Sequence, residues 1–171
     1  ATIALQGPFS RSILETLVED IDLVAMPHMS VRECRVAGVP ARLFRVSFTG
    51  EAGFEIAVPA GRAQFVWDAL IAAGDPTPYG TEAMHVLRAE KGFIIVGQET
   101  DGTVTPDDAG LGWAVGKKKP DFVGKRSLAR PDIVAAGRKP LVGLRTDDTN
   151  ACLEEGARLV AGPSHSCPRP L

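Results

Sequence analysis

The sequence is poor in cysteine and histidine, and neither residue type forms a recognisable site. Three cysteines occur in 171 residues, an odd number without CxxC spacing. This argues against a disulfide framework and fits a reducing cytoplasm. The three histidines share no metal-ligand spacing with one another or with the cysteines. We therefore predict reduced thiols, no metal site and a cytoplasmic location.

An excess of one charge and long apolar runs are also missing. The formal net charge is −2 and the sequence pI is about 5.9, so no overall basic field indicates nucleic acid or an anionic membrane. No apolar run approaches the roughly 20 residues that a membrane-spanning helix needs. The chain has no initiator Met and no secretory leader pattern, and it begins with a strand-like segment, so we expect a natural start further upstream.

Several familiar catalytic motifs are absent. The sequence contains no GxGxxG, GxxxxGK[ST], GxSxG or HExxH. No histidine lies in a context that suggests the base of a Ser–His–Asp set. These absences argue against dinucleotide-binding, P-loop, α/β-hydrolase and zinc-protease chemistry in this chain.

The apolar pattern that is present predicts both strands and helices. Apolar residues alternate in some segments and recur at helical spacing in others. In chain order we predict a strand in 2–7, a helix from 8–10 to about 21, strands on both sides of a turn at 37–40, a strand over 54–58, and helices in 61–73 and 81–92. We expect the helix in 61–73 to bury Phe65, Val66, Ala69 and Leu70, and we expect Thr81 to be the N-cap of the last helix and Gly92 its C-terminal stop. This order favours an α+β fold with a ferredoxin-like antiparallel sheet.

The character of the sequence changes near Arg138. The segment "KPLVGLRTDD" alternates like a strand, and "LEEGARLVAG" resembles a following hairpin. We therefore predict one domain over 1–137 and the start of a second module over 138–171. Because the last residues show no pattern that could be packed, we expect this second module to be cut short.

The stretch "VSFTGEAGFEIAVP" predicts a hairpin whose turn is Thr49–Gly53. Gly50 and Gly53 are expected to supply positive φ angles or close backbone approach. Phe44, Val46 and Phe48 alternate, which predicts that they share one apolar face. Glu51 is expected to be an exposed turn residue.

Glu55 has two interpretations. In an extended strand it points away from Phe54 and Ile56, towards the side of Arg45 and Ser47. It is then either the cross-strand partner of Arg45 on a solvated face, or a carboxylate that accepts two N–H donors from a planar heterocycle such as a pterin or guanine. Arg88, on the last predicted helix, is likewise either an anion-binding residue or the ion-pair partner of a nearby glutamate.

Five motifs in this order resemble the aminomethyltransferase family, which includes the glycine-cleavage T-protein. They are "ALQGP" (4–8), "FTGEAGFEI" (48–56), "LRAEKG" (87–92), "GTVTPDDAGLGWAV" (102–115) and "DFVGKRSL" (121–128). Residues 79–111 are most similar to the branch formed by the α subunits of heterotetrameric sarcosine oxidases. The resemblance covers residues 3–160 and implies a folate-binding domain followed by a small β-barrel module, of which 138–171 is the start.

The resemblance also implies a function and its residues. Glu55 takes the position of a glutamate that contacts tetrahydrofolate, and Phe48 replaces a residue that is usually Tyr, with Glu51 beside them. Met84 stands where the T-protein has an arginine that holds folate, and Arg88 matches a structural arginine. No residue of this chain matches the family's catalytic aspartate, so we predict no catalytic residue here and no oxidase turnover by this chain alone.

Two functions follow as hypotheses. The first is an enzyme-subunit segment that binds tetrahydrofolate, which accepts the one-carbon unit of oxidised sarcosine to give 5,10-methylenetetrahydrofolate. Flavins and NAD then belong to other parts of that complex, and the flavin-bearing subunit is a partner. The alternative is a non-catalytic folate-binding or subunit-assembly module of the same superfamily.

Overall fold

The computed structural model describes residues 1–154 and 156–157. A five-stranded antiparallel sheet forms the centre of the fold, with the strand order β1-β5-β4-β3-β2. The strands are β1 (Thr2–Gln6), β2 (Val18–Glu19), β3 (Val31–Val36), β4 (Val39–Phe44) and β5 (Gly53–Ala57). The helices are α1 (Ser10–Glu15), α2 (Ala63–Gly74), α3 (Thr81–Glu90) and α4 (Pro131–Val134), with short 3-10 helices at Ala60–Arg62, Gly112–Ala114 and Ser127–Ala129. The predicted α+β class with an antiparallel sheet is confirmed.

One face of the sheet carries the hydrophobic core. Alternate residues of β1, β4 and β5 point to this face, where side chains of α1 and α2 cover them. The largest fully buried side chains include Phe54, Ile56, Leu43, Leu14 and Val66. The opposite face stays accessible: its residues on β1 and β4, such as Ala4 and Arg42, are exposed. The fold therefore has a packed side and an open side.

The β3–β4 hairpin forms as predicted, but β4 ends earlier than expected. Ala37 and Gly38 both have positive φ angles, 50° and 74°, which is the signature of the tight turn that joins twisted antiparallel strands. β4 stops at Phe44, and the segment 45–52 forms a loop rather than a continued strand. Leu43 pairs with Ile56 and is buried, so the predicted apolar face of Phe44, Val46 and Phe48 is wrong. Since both faces carry apolar residues here, alternation alone does not decide which face is buried.

Three predicted details of the helices are wrong. The first helix ends at Glu15, and Val18 belongs to β2, where it pairs with Val36. Phe65 of α2 is exposed, while Val66 and Leu70 are buried as predicted. The N-cap of α3 is Gly80, so Thr81 is the first helical residue instead of the cap.

The end of α3 agrees with the prediction. Gly92 has a φ of 78°, and its N–H bonds the carbonyl of Ala89 at 2.9 Å. This left-handed glycine stops the helix at low steric cost.

The predicted start of a β-barrel module is not confirmed. No strand occurs within residues 138–154. Instead, the N–H of Leu141 bonds the carbonyl of Asp108 at 2.7 Å, and Nε of Arg138 lies 2.9 Å from Oδ1 of Asp108. Most of the hairpin predicted after residue 153 lies outside the described residues. The boundary between 137 and 138 stays a prediction.

Candidate functional site

Glu55 lies on the open face of the sheet, in the second strand from the edge. β5 is flanked by β1 and β4, and Glu55 pairs with Ala4 on one side and with Phe44 on the other. Directly paired residues of antiparallel strands point to the same face. The small exposed side chain of Ala4 and the half-buried ring of Phe44 therefore flank the carboxylate. Glu55 itself is half-buried.

The alternative in which Arg45 pairs with Glu55 is wrong. Nη1 of Arg45 donates to the carbonyl of Gly53 at 2.7 Å, and its guanidinium lies 4.7 Å from the centre of the Phe54 ring. Phe54 and Glu55 point to opposite faces, so Arg45 lies on the side away from Glu55. Within the described part of the chain, the Glu55 side chain has neither an ion-pair nor a hydrogen-bond partner. A half-buried carboxylate with free acceptor sites is suited to receive donors from a ligand.

Phe48 and Glu51 lie in the loop 45–52 and make no direct contact with Glu55. The Phe48 ring is half-buried and stacks on Phe93, with ring centres 6.5 Å apart and planes inclined by 28°. Glu51 is exposed, as predicted for a turn residue. None of the hydrogen bonds, ion pairs or ring contacts among the described residues joins these two side chains to Glu55.

Both glycines of the predicted turn, Gly50 in the loop and Gly53 at the start of β5, have the roles predicted for them. Gly50 has a φ of 81°, and a Cβ at this position would lie 2.4 Å from Cγ of Lys91. A Cβ on Gly53 would lie 2.1 Å from Oε1 of Gln6 and 2.6 Å from the carbonyl oxygen of Leu5. The close approach of Gly50 to Lys91 and of β5 to β1 therefore depends on the lack of a side chain at these two positions.

Tyr79 is a candidate site residue that sequence reasoning missed. It precedes α3 and is the only tyrosine of the chain. Partial burial and, to a smaller extent, the negative charge of Glu55 raise the pKa of the Tyr79 phenol. The hydroxyl thus lies within the electrostatic reach of Glu55. Its uniqueness in the sequence was the one available signal, but nothing in the local pattern linked it to a residue 24 positions earlier.

Arg88 is held in a structural network and is not available to an anion. Its side chain is buried, and Nη1 lies 2.5 Å from Oε1 of Glu99 and 3.1 Å from the carbonyl of Phe93. Nη2 lies 3.3 Å from Oε1 of Gln98. The structural role of Arg88 is as expected, but the partner is Glu99 in the following loop and not a glutamate of α3.

A groove runs along the exposed edge of β1, next to the position of Glu55. It has a volume of about 540 Å³ and lies between β1, α2 and the segment from Pro76 to Met84. Ala4 and Tyr79 both line this groove, and both are close to Glu55 through strand pairing or electrostatic contact. Ala4 and Tyr79 therefore connect the groove to Glu55, although the Glu55 side chain does not itself line it.

Comparison with known proteins agrees with the resemblance described above. The GCVT N-terminal domain family matches residues 1–119. A sarcosine oxidase subunit alpha from Corynebacterium sp. (strain U-96) is 52% identical over 167 residues, which is 94% of this chain and 17% of the relative. The corresponding subunit from Rhizobium meliloti (strain 1021) is 41% identical, with the same coverage.

A second group of relatives consists of aminomethyltransferases. The protein from Streptomyces avermitilis is 41% identical over 150 residues, which is 84% of this chain and 40% of the relative. The chain thus spans about a sixth of the length of the sarcosine oxidase relatives and less than half of the aminomethyltransferase. No helix in the described part of the chain is both long and apolar enough to cross a membrane.

Proposed function

The chain belongs to the family of GCVT N-terminal domains, and from this membership we propose that it is the tetrahydrofolate-binding part of a sarcosine oxidase α subunit. The observation that carries the proposal is the free, half-buried carboxylate of Glu55 on the open face of the sheet. The 52% identity to the Corynebacterium sarcosine oxidase subunit, against 41% to the Streptomyces avermitilis aminomethyltransferase, supports the choice of branch.

Glu55 orients the pterin ring in this proposal. The 2-amino group and the adjacent ring N–H of a pterin form a donor pair with the spacing of a guanidinium edge, which a carboxylate accepts bidentately. A carboxylate that already carried an arginine partner would have no such capacity, and Arg45 is bound elsewhere. Glu55 transfers no proton here; it fixes the position of the ring.

Phe48 and Glu51 are proposed to contribute less directly to ligand binding, each according to where its side chain lies. The stacked pair of Phe48 and Phe93 offers an aromatic surface beside the loop, and we propose that Phe48 contacts the ligand through its ring face. Glu51 is exposed and would meet a ligand only at the rim of the site. We therefore expect Glu55 to contribute more to affinity than Glu51.

The chemistry proposed for the whole protein needs more than this chain. Bound tetrahydrofolate supplies the nitrogen atoms that accept the one-carbon unit of oxidised sarcosine, giving 5,10-methylenetetrahydrofolate. The residues of this chain contribute orientation and exclusion of water, which are the main requirements for trapping a reactive unit. We propose that flavin and NAD are bound by other parts of the complex, that the flavin-bearing subunit is a partner, and that this chain alone has no oxidase turnover.

The described cysteines, Cys34 and Cys152, are free thiols. A reducing cytoplasm suits such thiols, and we propose it as the location of the protein.

Calorimetric titration with tetrahydrofolate tests the proposal. The variant Glu55→Gln keeps the shape of the side chain and removes its charge, so affinity should fall by about 1.5–3 kcal/mol, or roughly ten- to hundredfold. Glu19→Gln is the matched control, because Glu19 is an exposed strand residue on β2, at the far edge of the sheet. Equal affinities of the wild-type chain and Glu55→Gln would contradict the proposed role of Glu55.

A further inference from the structure

The loop that carries Phe48 contacts the end of α3 at two points. The Phe48 ring stacks on the ring of Phe93, with centres 6.5 Å apart and planes inclined by 28°. Two residues further along the loop, Gly50 lies so close to Lys91 that a Cβ at this position would overlap the lysine side chain. Lys91 and Phe93 lie on the two sides of the glycine that ends α3. The loop 45–52 therefore rests against the end of this helix.

The contact with Phe93 determines how the Phe48 ring is oriented. Among the described residues, neither backbone group of Phe48 takes part in a hydrogen bond. The nearest backbone groups that do so belong to Arg45 and Glu51, three residues away on each side. A side chain on such a segment keeps several rotamers unless packing selects one of them. The stacking on Phe93 is the packing contact that selects the rotamer of Phe48.

Phe93 is itself held in place by Arg88. The N–H of Phe93 donates to the carbonyl of Arg88 at 2.9 Å, and the carbonyl of Phe93 accepts from Nη1 of Arg88 at 3.1 Å. The Arg88 side chain is buried and is paired with Glu99. Both polar groups of the Phe93 backbone are thus bound to one buried residue, while the side chain of Phe93 is 39% exposed. Residues that contact a ligand need neighbours of this kind, because their own rotamers must be fixed before the ligand binds.

We propose that Phe93 is a positioning residue of the tetrahydrofolate site, which holds the Phe48 ring in the orientation in which that ring meets the ligand. Phe93 acts through Phe48 and does not itself touch the ligand. Its role requires an aromatic ring, because two rings attract each other through their quadrupoles and an aliphatic side chain has no such field. This inference rests on the proposed function, in which Phe48 contacts tetrahydrofolate.

Two substitutions of Phe93 separate the role of its ring from that of its apolar bulk. Phe93→Leu keeps the backbone bonds to Arg88 and an apolar side chain, but it removes the ring. Phe93→Tyr keeps the ring, and its hydroxyl can reach water at this exposed position. In calorimetry, Phe93→Leu should bind tetrahydrofolate roughly two- to tenfold more weakly than the wild type, and Phe93→Tyr should bind within about twofold of it. Phe65→Leu, which removes an exposed ring from α2, is the control and should bind like the wild type.

A double variant tests whether Phe93 acts through Phe48. In a chain that already carries Phe48→Leu, the change Phe93→Leu should weaken tetrahydrofolate binding no further. A residue that touched the ligand directly, or that only stabilised the fold, would add its own loss. Additive losses would therefore overturn the proposal. Equal affinities of Phe93→Leu and the wild type would do the same, as would an equal loss in Phe93→Leu and Phe93→Tyr.

The orientation of the Phe48 ring is also measured without ligand, by NMR of the chain labelled at phenylalanine. The Phe48 ring resonances, assigned with Phe48→Leu, should move in Phe93→Leu and stay close to the wild-type values in Phe93→Tyr. Unchanged Phe48 resonances in Phe93→Leu would overturn the proposal. If the wild-type chain does not bind tetrahydrofolate, the proposed function fails, and these resonances alone decide whether Phe93 holds Phe48. If the wild type binds and Phe93→Leu binds equally well, only the positioning role fails.

Discussion

Replacing Arg88 by methionine tests whether a buried ion pair holds α3 to the loop that follows it. The Arg88 side chain is 7% exposed and that of Glu99 is 24% exposed, with 2.5 Å between Nη1 and Oε1. Methionine keeps most of the aliphatic chain but leaves Glu99 without its cation. Removing one partner of a buried pair typically costs about 3–5 kcal/mol, because the other charge stays desolvated. The bond from Arg88 to the carbonyl of Phe93 is lost as well.

The assay is native-state hydrogen exchange, since local opening can cost less than global unfolding. In Arg88→Met the amides of α3 should lose protection, while those of β3 and β4 should keep theirs. The matched control is Arg42→Met, which breaks the pair with Glu33. Those side chains are 68% and 83% exposed and their charged atoms lie 3.6 Å apart. An exposed pair of this kind contributes about 0–1 kcal/mol. Unchanged protection of α3 in Arg88→Met would refute the reasoning.

The same ion pair predicts a pH dependence. Burial raises the pKa of Glu99, but hydrogen bonds from the Ile95 amide and the Arg88 guanidinium outweigh burial and hold the pKa below its ordinary value. A lowered pKa stabilises the folded state above the unfolded-state pKa of about 4.3. This contribution is lost as the pH falls through the lower pKa of the folded state. Protection of α3 should therefore decrease in acid in the wild type and depend less on pH in Glu99→Gln.

Two further predictions concern the site and the strand beside it. Ultraviolet titration of Tyr79, the only tyrosine, should give a lower phenol pKa in Glu55→Gln than in the wild type. The pKa in the distant Glu19→Gln should equal that of the wild type. Equal pKa values in all three proteins would show that Tyr79 is not close to Glu55. Gly53→Ala should lower the free energy of unfolding in urea by about 1–3 kcal/mol, because its Cβ would overlap β1. Gly61→Ala, where a Cβ meets nothing within 4 Å, is the control, and equal stability of the two variants would contradict the close approach.

Much of the fold follows from local signals in the sequence. The alternation in β1 and β5, the Ala37-Gly38 turn and the glycine after α3 each specify their structure within a few residues, and the structure agrees with all of them. The role of Gly53 was also predictable, since a glycine that opens a strand often marks close backbone approach. These features need no knowledge of distant parts of the chain.

The errors arise where two local solutions compete. Leu43 and Phe44 are adjacent and both are apolar, so a shift of the strand by one residue reverses which of them is buried. Only the pairing of Leu43 with Ile56 decides the register. The strand pattern predicts that Arg45 lies on the same face as the Glu55 carboxylate. In the structure, the Gly53 carbonyl and the Phe54 ring bind Arg45 on the other face. The link from Tyr79 to Glu55 depends on how the chain passes the edge of β1, which no local pattern encodes.

The most direct measurement of the central claim combines a change in the protein with a change in the ligand. Tetrahydrofolate and its 2-desamino analogue are titrated into the wild-type chain and into Glu55→Gln. If Glu55 accepts the 2-amino group, removing that group should weaken binding to the wild type by about 1.5–3 kcal/mol, or roughly ten- to hundredfold, and should weaken binding to Glu55→Gln much less. Equal losses in both proteins would show that the amino group is bound elsewhere and would contradict the assignment of the pterin to Glu55.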